Sequence, residues 1–261
     1  MDAQYTCPSC GGSADLKSNC CPYCGSLFIQ DLGPGTGVSG ATAARAQAAV
    51  LEAKLLKTPN NGAALLELGK IYHLLGQYPK AQDALTKAAA LMPAEPQVFL
   101  MLAWNVGIMK GWEKAAVLEN ARQALALDPK LAEADGLVHL SQGMTQYLFD
   151  QSILHAKMAL KEFQAATESD PKNTYGFFMT GCVCEELDEL KLAAQFLQKA
   201  ADLSAADDAP GREDARIVAR AGSVFFKLHD VDNAKKYLSR AVELDPDNDA
   251  ARGLLASIDG N

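Results

Sequence analysis

Aromatic residues make up only 7% of this 261-residue chain. Runs that alternate β-branched with polar residues are nearly missing, so a sheet sandwich is disfavoured. With 49% hydrophobic residues and abundant alanine, the composition suits closely packed helices. A basic excess is lacking too: the formal charge is −8 and the pI about 5.0. Nucleic-acid binders carry a basic face, and acidic membrane surfaces repel an acidic chain, so neither is expected as the main partner. The start, Met1-Asp2-Ala3-Gln4-Tyr5-Thr6, is not basic and precedes no apolar run, unlike a signal peptide. The longest apolar stretch, Val98 to Trp104, falls far short of the ~20 residues a membrane span requires. A cytoplasmic chain is expected, in which the seven cysteines stay reduced and bind metal rather than pair as disulfides.

Those cysteines begin with a doubled motif. Cys7-Pro8-Ser9-Cys10-Gly11 is followed by Cys21-Pro22-Tyr23-Cys24-Gly25, with ten residues between Cys10 and Cys21. Two facing Cys-x-x-Cys turns offer four thiolates at the corners of a tetrahedron, which suits zinc. The glycine after each pair can turn left-handed and aim backbone N–H groups at sulfur. The motif resembles a zinc ribbon, assigned to residues 1–29, with Cys7, Cys10, Cys21 and Cys24 as ligands. Its knuckles are also similar to rubredoxin, which holds iron; the short interval and scarce aromatics favour zinc. Unmetallated redox dithiols are the plainer alternative. Cys20 is expected to be a bystander, because four ligands fill tetrahedral zinc. A segment this short cannot fold on its own apolar surface, whereas zinc binding supplies about 10–16 kcal/mol. The metal is therefore expected to be structural. Residues 1–40 hold three aspartates against Lys17, so a protein contact is more plausible for the ribbon than DNA or RNA.

Residues 30–40 contain four glycines and Pro34, a flexible linker by composition. Gly33, Gly35 and Gly37 imitate a phosphate loop, but no strand pattern precedes them and no Gly-Lys-Ser/Thr follows.

From residue 41 to 261 the pattern is helical and periodic. In Gly62 to Pro93, one apolar stripe runs Leu65, Leu68, Gly69, Tyr72 and a second Ala81, Leu85, Ala88, either side of a break at Gly76 and Pro79. Small residues fall where two antiparallel helices must approach and large ones where gaps need filling. The segment resembles a tetratricopeptide repeat (TPR). One such hairpin cannot bury its apolar face alone, so neighbours are implied. Pro59, Pro93, Pro129 and Pro171 follow at intervals of 34, 36 and 42 residues, against the family period of 34. Asp128-Pro129, Asp170-Pro171 and Asp245-Pro246 read as helix stops. About five repeats are expected over residues 62–246, with capping helices at 41–57 and 247–259. The second repeat carries its two extra residues near Gly111-Trp112, and a loop is expected over 205–213. The third is long; Ala159, Phe163 and Ala166 match its second helix, but the register of its first, Leu131 to Phe149, is not fixed by the pattern.

The resemblance implies an all-α, right-handed superhelical α-solenoid, preceded by the ribbon, with a concave groove lined by the first helix of each pair. On that face register places Leu66, Lys70, His73, Leu100, Trp104 and Ile108, then Tyr175, Phe178, Cys182, Glu185, Arg216 and Phe226. Packing between helices competes for each. Trp104 and Phe178 are the strongest candidates for peptide contact, because aromatic anchors dominate interfaces. One branch of the family clamps chaperone tails with Lys, Asn and Arg; Lys70 and Trp104 stand at its asparagine positions, so that clamp is not expected. Cys182 and Cys184 diverge on one helix and cannot form a knuckle. The four histidines are scattered, and the run Glu185, Glu186, Asp188, Glu189 is more simply a solvated helix face than acid–base machinery. The function expected is a non-enzymatic scaffold or adaptor that binds a peptide or helical segment, with the ribbon as a second, tethered contact. A redox or sensor protein with an iron site, and a nucleic-acid-associated ribbon protein, are the alternatives.

Overall fold

A computed structural model describes residues 4–6, 13–15, 38–150, 152–206 and 214–259. Strands β1 (Gln4–Thr6) and β2 (Ser13–Asp15) pair antiparallel, with Tyr5 opposite Ala14. The interval between them carries Cys7 and Cys10, which lie outside the described residues, as do Cys20, Cys21, Cys24 and the linker up to residue 37. Of the loop expected at 205–213, residues 205 and 206 are helical instead, and 207–213 lie outside the described residues.

The chain divides into two compact units, Met1–Leu137 with Ala209–Gly211, and Val138–Asp208 with Arg212–Asn261. In the first unit α1 (Val38–Lys57) is followed by two hairpins, α2 (Gly62–Leu74) with α3 (Tyr78–Leu91) and α4 (Pro96–Lys110) with α5 (Ala115–Leu127). Helix α1 begins three residues before the expected position; Ser39 and Gly40 each lower helix propensity by under about 1 kcal/mol, too little to delay it. It packs Ala44 and Ala48 into a core with Leu65, Leu68, Tyr72, Leu85 and Val98. Tyr72 also donates its hydroxyl to Glu52 of α1.

The division falls within α6 (Ala132–Phe149). The second unit continues with α7 (Ile153–Ser169), α8 (Thr174–Glu186), α9 (Leu190–Ala206), α10 (Ala215–Lys227), α11 (Val231–Leu244) and α12 (Asp249–Asp259). Its core gathers Cys184, Leu197, Val218, Phe225, Tyr237, Leu238 and Ala251, and Phe225 stacks on Tyr237 with centroids 5.4 Å apart.

Local chemistry sets the boundaries. Asn61, Ser152, Asn173, Asp214 and Asp230 cap α2, α7, α8, α10 and α11 by accepting a backbone N–H from the first turn. At the other end, Asp128, Asp170 and Asp245 leave the helical region before their prolines, with ψ of 95°, 93° and 89°. Each carboxylate then accepts the N–H two residues on, from Lys130, Lys172 and Asp247, which turns the chain into the next hairpin. Left-handed residues follow three first helices: Gly76 (φ 71°), Asp188 (φ 62°) and His229 (φ 58°).

Close approach inside the hairpins uses glycine. A Cβ on Gly69, Gly181 or Gly222 would fall 2.6–2.8 Å from Cγ of Leu85, Leu197 or Leu238. In each case glycine precedes leucine by 16 residues. The α6–α7 hairpin obeys the same rule with Gly143 beneath Phe163, but 20 residues apart. The extra four residues are about one helical turn, and they fix the register that the sequence pattern left open. The two residues added near Gly111 have a different use. They bring Trp112 over Gly107, where a Cβ would lie 2.2 Å from the ring, and Trp112 is buried.

Candidate functional site

The first helices of the hairpins carry the candidate residues, and each unit presents its own set. In the first unit, Leu66, His73 and Leu100 are buried, Leu100 with 2% exposure, which corrects their assignment to an open face. First helices pack on one another as well as on their partners. His73 on α2 donates from Nδ1 to Asn105 Oδ1 on α4, 3.2 Å away, since that oxygen can only accept. Asn105 Nδ2 in turn reaches the Tyr78 carbonyl (3.1 Å) and Gln82 Oε1 (2.9 Å). Asn105 is fully buried, so this is a satisfied polar network inside the stack, and sequence reasoning passed over it. The residues left at the surface are Lys70, paired with Glu67 at 2.9 Å, half-buried Trp104, and exposed Ile108. Trp104 meets Trp112 edge-to-face at 5.2 Å, so one side of its ring is already committed to internal packing.

In the second unit the expected residues come together. Tyr175 and Phe178 on α8 pack edge-to-face at 6.3 Å, and Arg216 Nη2 on α10 donates to Tyr175 Oη at 3.4 Å. Arg216 also forms a charged pair with its own cap, Asp214, at 2.5 Å, and that pairing raises its already high pKa. Phe226 is half-buried against the core. Cys182, by contrast, is buried, a second correction. Burial pushes its thiol up to about 12, with Arg220 opposing and Glu185 and Glu186 adding. Burial likewise lifts Cys184 to about 11, and Glu189 adds to it. Both thiols are therefore protonated and unreactive at neutral pH.

Glu186, Asp188 and Glu189 of the acidic run are exposed, but the solvated-face reading is corrected at Glu185. Its side chain is only 6% exposed, because Arg220 Nε donates to it at 2.5 Å and Lys227 Nζ at 2.7 Å from α10. Glu186 accepts from the Tyr147 hydroxyl. Arg220 and Lys227 were missed, although the signal is present: with Arg216 they stand at i, i+4 and i+11, one face of α10. The result is a surface with two rings and three cations, partly balanced by Asp214 and Glu185.

Serine, histidine and aspartate meet at the start of α7 without the geometry of a catalytic triad. Asp150, Ser152 and His155 cluster at the start of α7, but Ser152 Oγ (3.0 Å) and Asp150 Oδ1 (2.8 Å) both address His155 Nδ1. A triad needs serine on one ring nitrogen and aspartate on the other. Ser152 is occupied as the helix cap, accepting from His155 N at 3.3 Å. Among the described residues no three His, Cys, Asp or Glu side chains could hold a metal ion, and no helix is long and apolar enough to cross a membrane.

Comparison with known proteins agrees with this architecture. Residues 63–94 and 215–248, the α2–α3 and α10–α11 hairpins, match the family model of the tetratricopeptide repeat. No curated protein matches. Among solved structures, a thermophilic TPR protein of Thermus thermophilus is 20% identical and aligns over 77% of this chain and 100% of its own, with a TM-score of 0.53. PilW, a type IV pilus biogenesis factor, is 16% identical over 84% of this chain and 96% of its own, TM-score 0.56. The Cut9–Hcn1 hetero-tetramer of the APC/C is 18% identical over 85% of this chain but 40% of its own, TM-score 0.61. At such identities the likeness is one of fold: TPR-like helical hairpins, stacked.

Proposed function

We propose that the chain is a non-enzymatic interaction scaffold that binds an extended or helical protein segment on the first-helix faces of its repeats. The observation that carries this reading is the α8–α10 surface, where Tyr175, Phe178 and Arg216 adjoin one another and Arg220 and Lys227 extend the same cationic helix face. Aromatic and arginine side chains are the residue types that dominate interface energetics. With three cations against two carboxylates, the face suits a segment carrying acidic residues beside an apolar anchor. In the first unit Lys70, Trp104 and Ile108 offer a smaller surface of similar composition.

The N-terminal residues are proposed as a second contact held by zinc. Cys7, Cys10, Cys21 and Cys24 would supply four thiolates, and the pairing of β1 with β2 supports a reversal of the chain through the first Cys-x-x-Cys, as a metal knuckle requires. Zinc would supply cross-linking of this short segment rather than catalysis.

Peptides selected by display against the intact chain test the main reading. Calorimetry should show that Phe178→Ala and Arg220→Ala each weaken the selected peptides by about tenfold or more, that is by at least ~1.4 kcal/mol. Lys199→Ala, an exposed change on α9, should leave them unchanged. Peptides indifferent to both Phe178 and Arg220 would remove the α8–α10 face from the proposal.

A further inference from the structure

The second unit leaves apolar surface uncovered at the tip of the lengthened α6–α7 hairpin. Leu148, Phe149, Ile153, Leu154 and Met158 are all exposed, Phe149 by 74% and Ile153 by 68%. None of them serves the hairpin's own core, which α7 supplies with Ala159, Phe163 and Ala166. On α7 the exposed residues Ile153, Leu154, Lys157, Met158 and Lys161 recur at one-, three- and four-residue steps, so they share one outer face. Among the described residues Lys157 and Lys161 have no ion-pair partner. Asp150, just ahead of the helix, uses Oδ1 for both Ser152 N and His155 Nδ1, leaving Oδ2 for another cation.

The order of these residues is self-complementary. Read in the opposite direction about a point between His155 and Ala156, the face sets Ile153 against Met158, Leu154 against the aliphatic stem of Lys157, and Asp150 against Lys161. That is the arrangement an isologous two-fold contact demands, in which each residue meets its complement twice. We propose that this face of α7 packs antiparallel on the same face of a second copy, making the chain a homodimer. Asp150 would then meet the partner subunit's Lys161, and Ile153 the partner subunit's Met158. A face meant for an anionic lipid surface would not place Asp150 and Glu186 at its edge, and an unrelated acidic helix would leave Asp150 opposed by like charge. A single pair of helices buries area at the low end of the ~1,200–2,000 Å² typical of stable complexes. Association is therefore expected at micromolar rather than nanomolar concentration.

Sedimentation velocity of the full chain from roughly 1 to 200 µM, a range that brackets micromolar affinity, should show a concentration-dependent shift from monomer to dimer. Met158→Glu should abolish the shift while leaving the far-UV circular dichroism unchanged. Independently, a zero-length carbodiimide cross-link should join Asp150 to Lys161. Asp150 lies beside His155 at the start of α7, so a link between copies is told from one within a chain by mixing isotopically light and heavy chains, which should yield mixed-label cross-linked peptides. A chain that stays monomeric throughout overturns the proposal. So does a dimer that survives Met158→Glu, an absence of mixed-label product, or a monomer that instead floats with vesicles through this face.

Discussion

Gly143 on α6 lies directly beneath the ring of Phe163 on α7: a Cβ there would fall 2.5 Å from Cε1. This is the same meeting of small and large that joins Gly69 to Leu85 and Gly222 to Leu238, moved by one helical turn. Phe163 is fully buried, so its ring has no free direction in which to retreat. Gly143→Ala is expected to destabilise the chain by about 1–3 kcal/mol through overpacking. Chemical denaturation followed by circular dichroism measures it. Gly253 on α12 has nothing within 4 Å of its would-be Cβ, and Gly253→Ala should stabilise by roughly 0.5–1 kcal/mol through helix propensity alone. If both substitutions cost alike, steric contact is not what selects glycine at Gly143.

Residues near one another in sequence made the fold legible. Asp-Pro pairs stop helices because the residue before proline is pushed out of the helical region, and Asp128, Asp170 and Asp245 are found outside it. The alternation of small and large positions likewise needs only one hairpin to be recognised. The faces were less legible, because exposure of a first-helix residue depends on the next hairpin. Leu100 and His73 share the helical phase of the surface residues, yet α2 and α4 close over them. Glu185 looked solvated because its cations lie 35 and 42 residues away, a separation no local pattern reports. The third repeat hid its register because the inserted turn preserves helical phase while breaking the spacing of glycine to its partner.

The two core thiols make stability fall at high pH. Folded Cys182 and Cys184 titrate at about 12 and about 11, whereas an unfolded thiol releases its proton near 8.5. Between those limits the unfolded chain binds fewer protons than the folded one, so unfolding becomes easier as pH rises. Each thiol should contribute a slope of about −1.4 kcal/mol per pH unit above pH ~9. Subtracting the unfolding free energies of a Cys182→Ala variant from those of the parent across pH 8–11 isolates the term from tyrosine and lysine. A difference that stays flat over that range would mean that Cys182 is solvated in the folded protein.

If the N-terminal cysteines hold zinc as proposed, the helical cores should fold without it. Metal analysis should find one zinc per chain, lost in Cys7→Ser, with a colourless solution. Unfolding of the helices, read at 222 nm, should be the same with and without a chelator, because the described cores of both units are built from helix side chains. A red chromophore with iron instead of zinc would establish the iron alternative. Equal zinc content in the parent and in Cys7→Ser would remove that thiol from the ligand set.

Glu185 links the stability of the second unit to its recognition face. Glu185→Gln keeps the shape and one hydrogen-bond acceptor but deletes the charge that Arg220 and Lys227 share. Were all three groups dry, breaking such a cluster would cost about 3–5 kcal/mol. Arg220 and Lys227 are 42% and 51% exposed, so water compensates most of the loss and about 1–2 kcal/mol is expected. The same change frees both cations. If α8 and α10 recognise an acidic segment, Glu185→Gln should tighten its binding even as it lowers the melting temperature, and added salt should erase the gain in affinity. Weaker binding together with lower stability would instead show that the carboxylate holds the arginine and lysine in the geometry that the ligand needs.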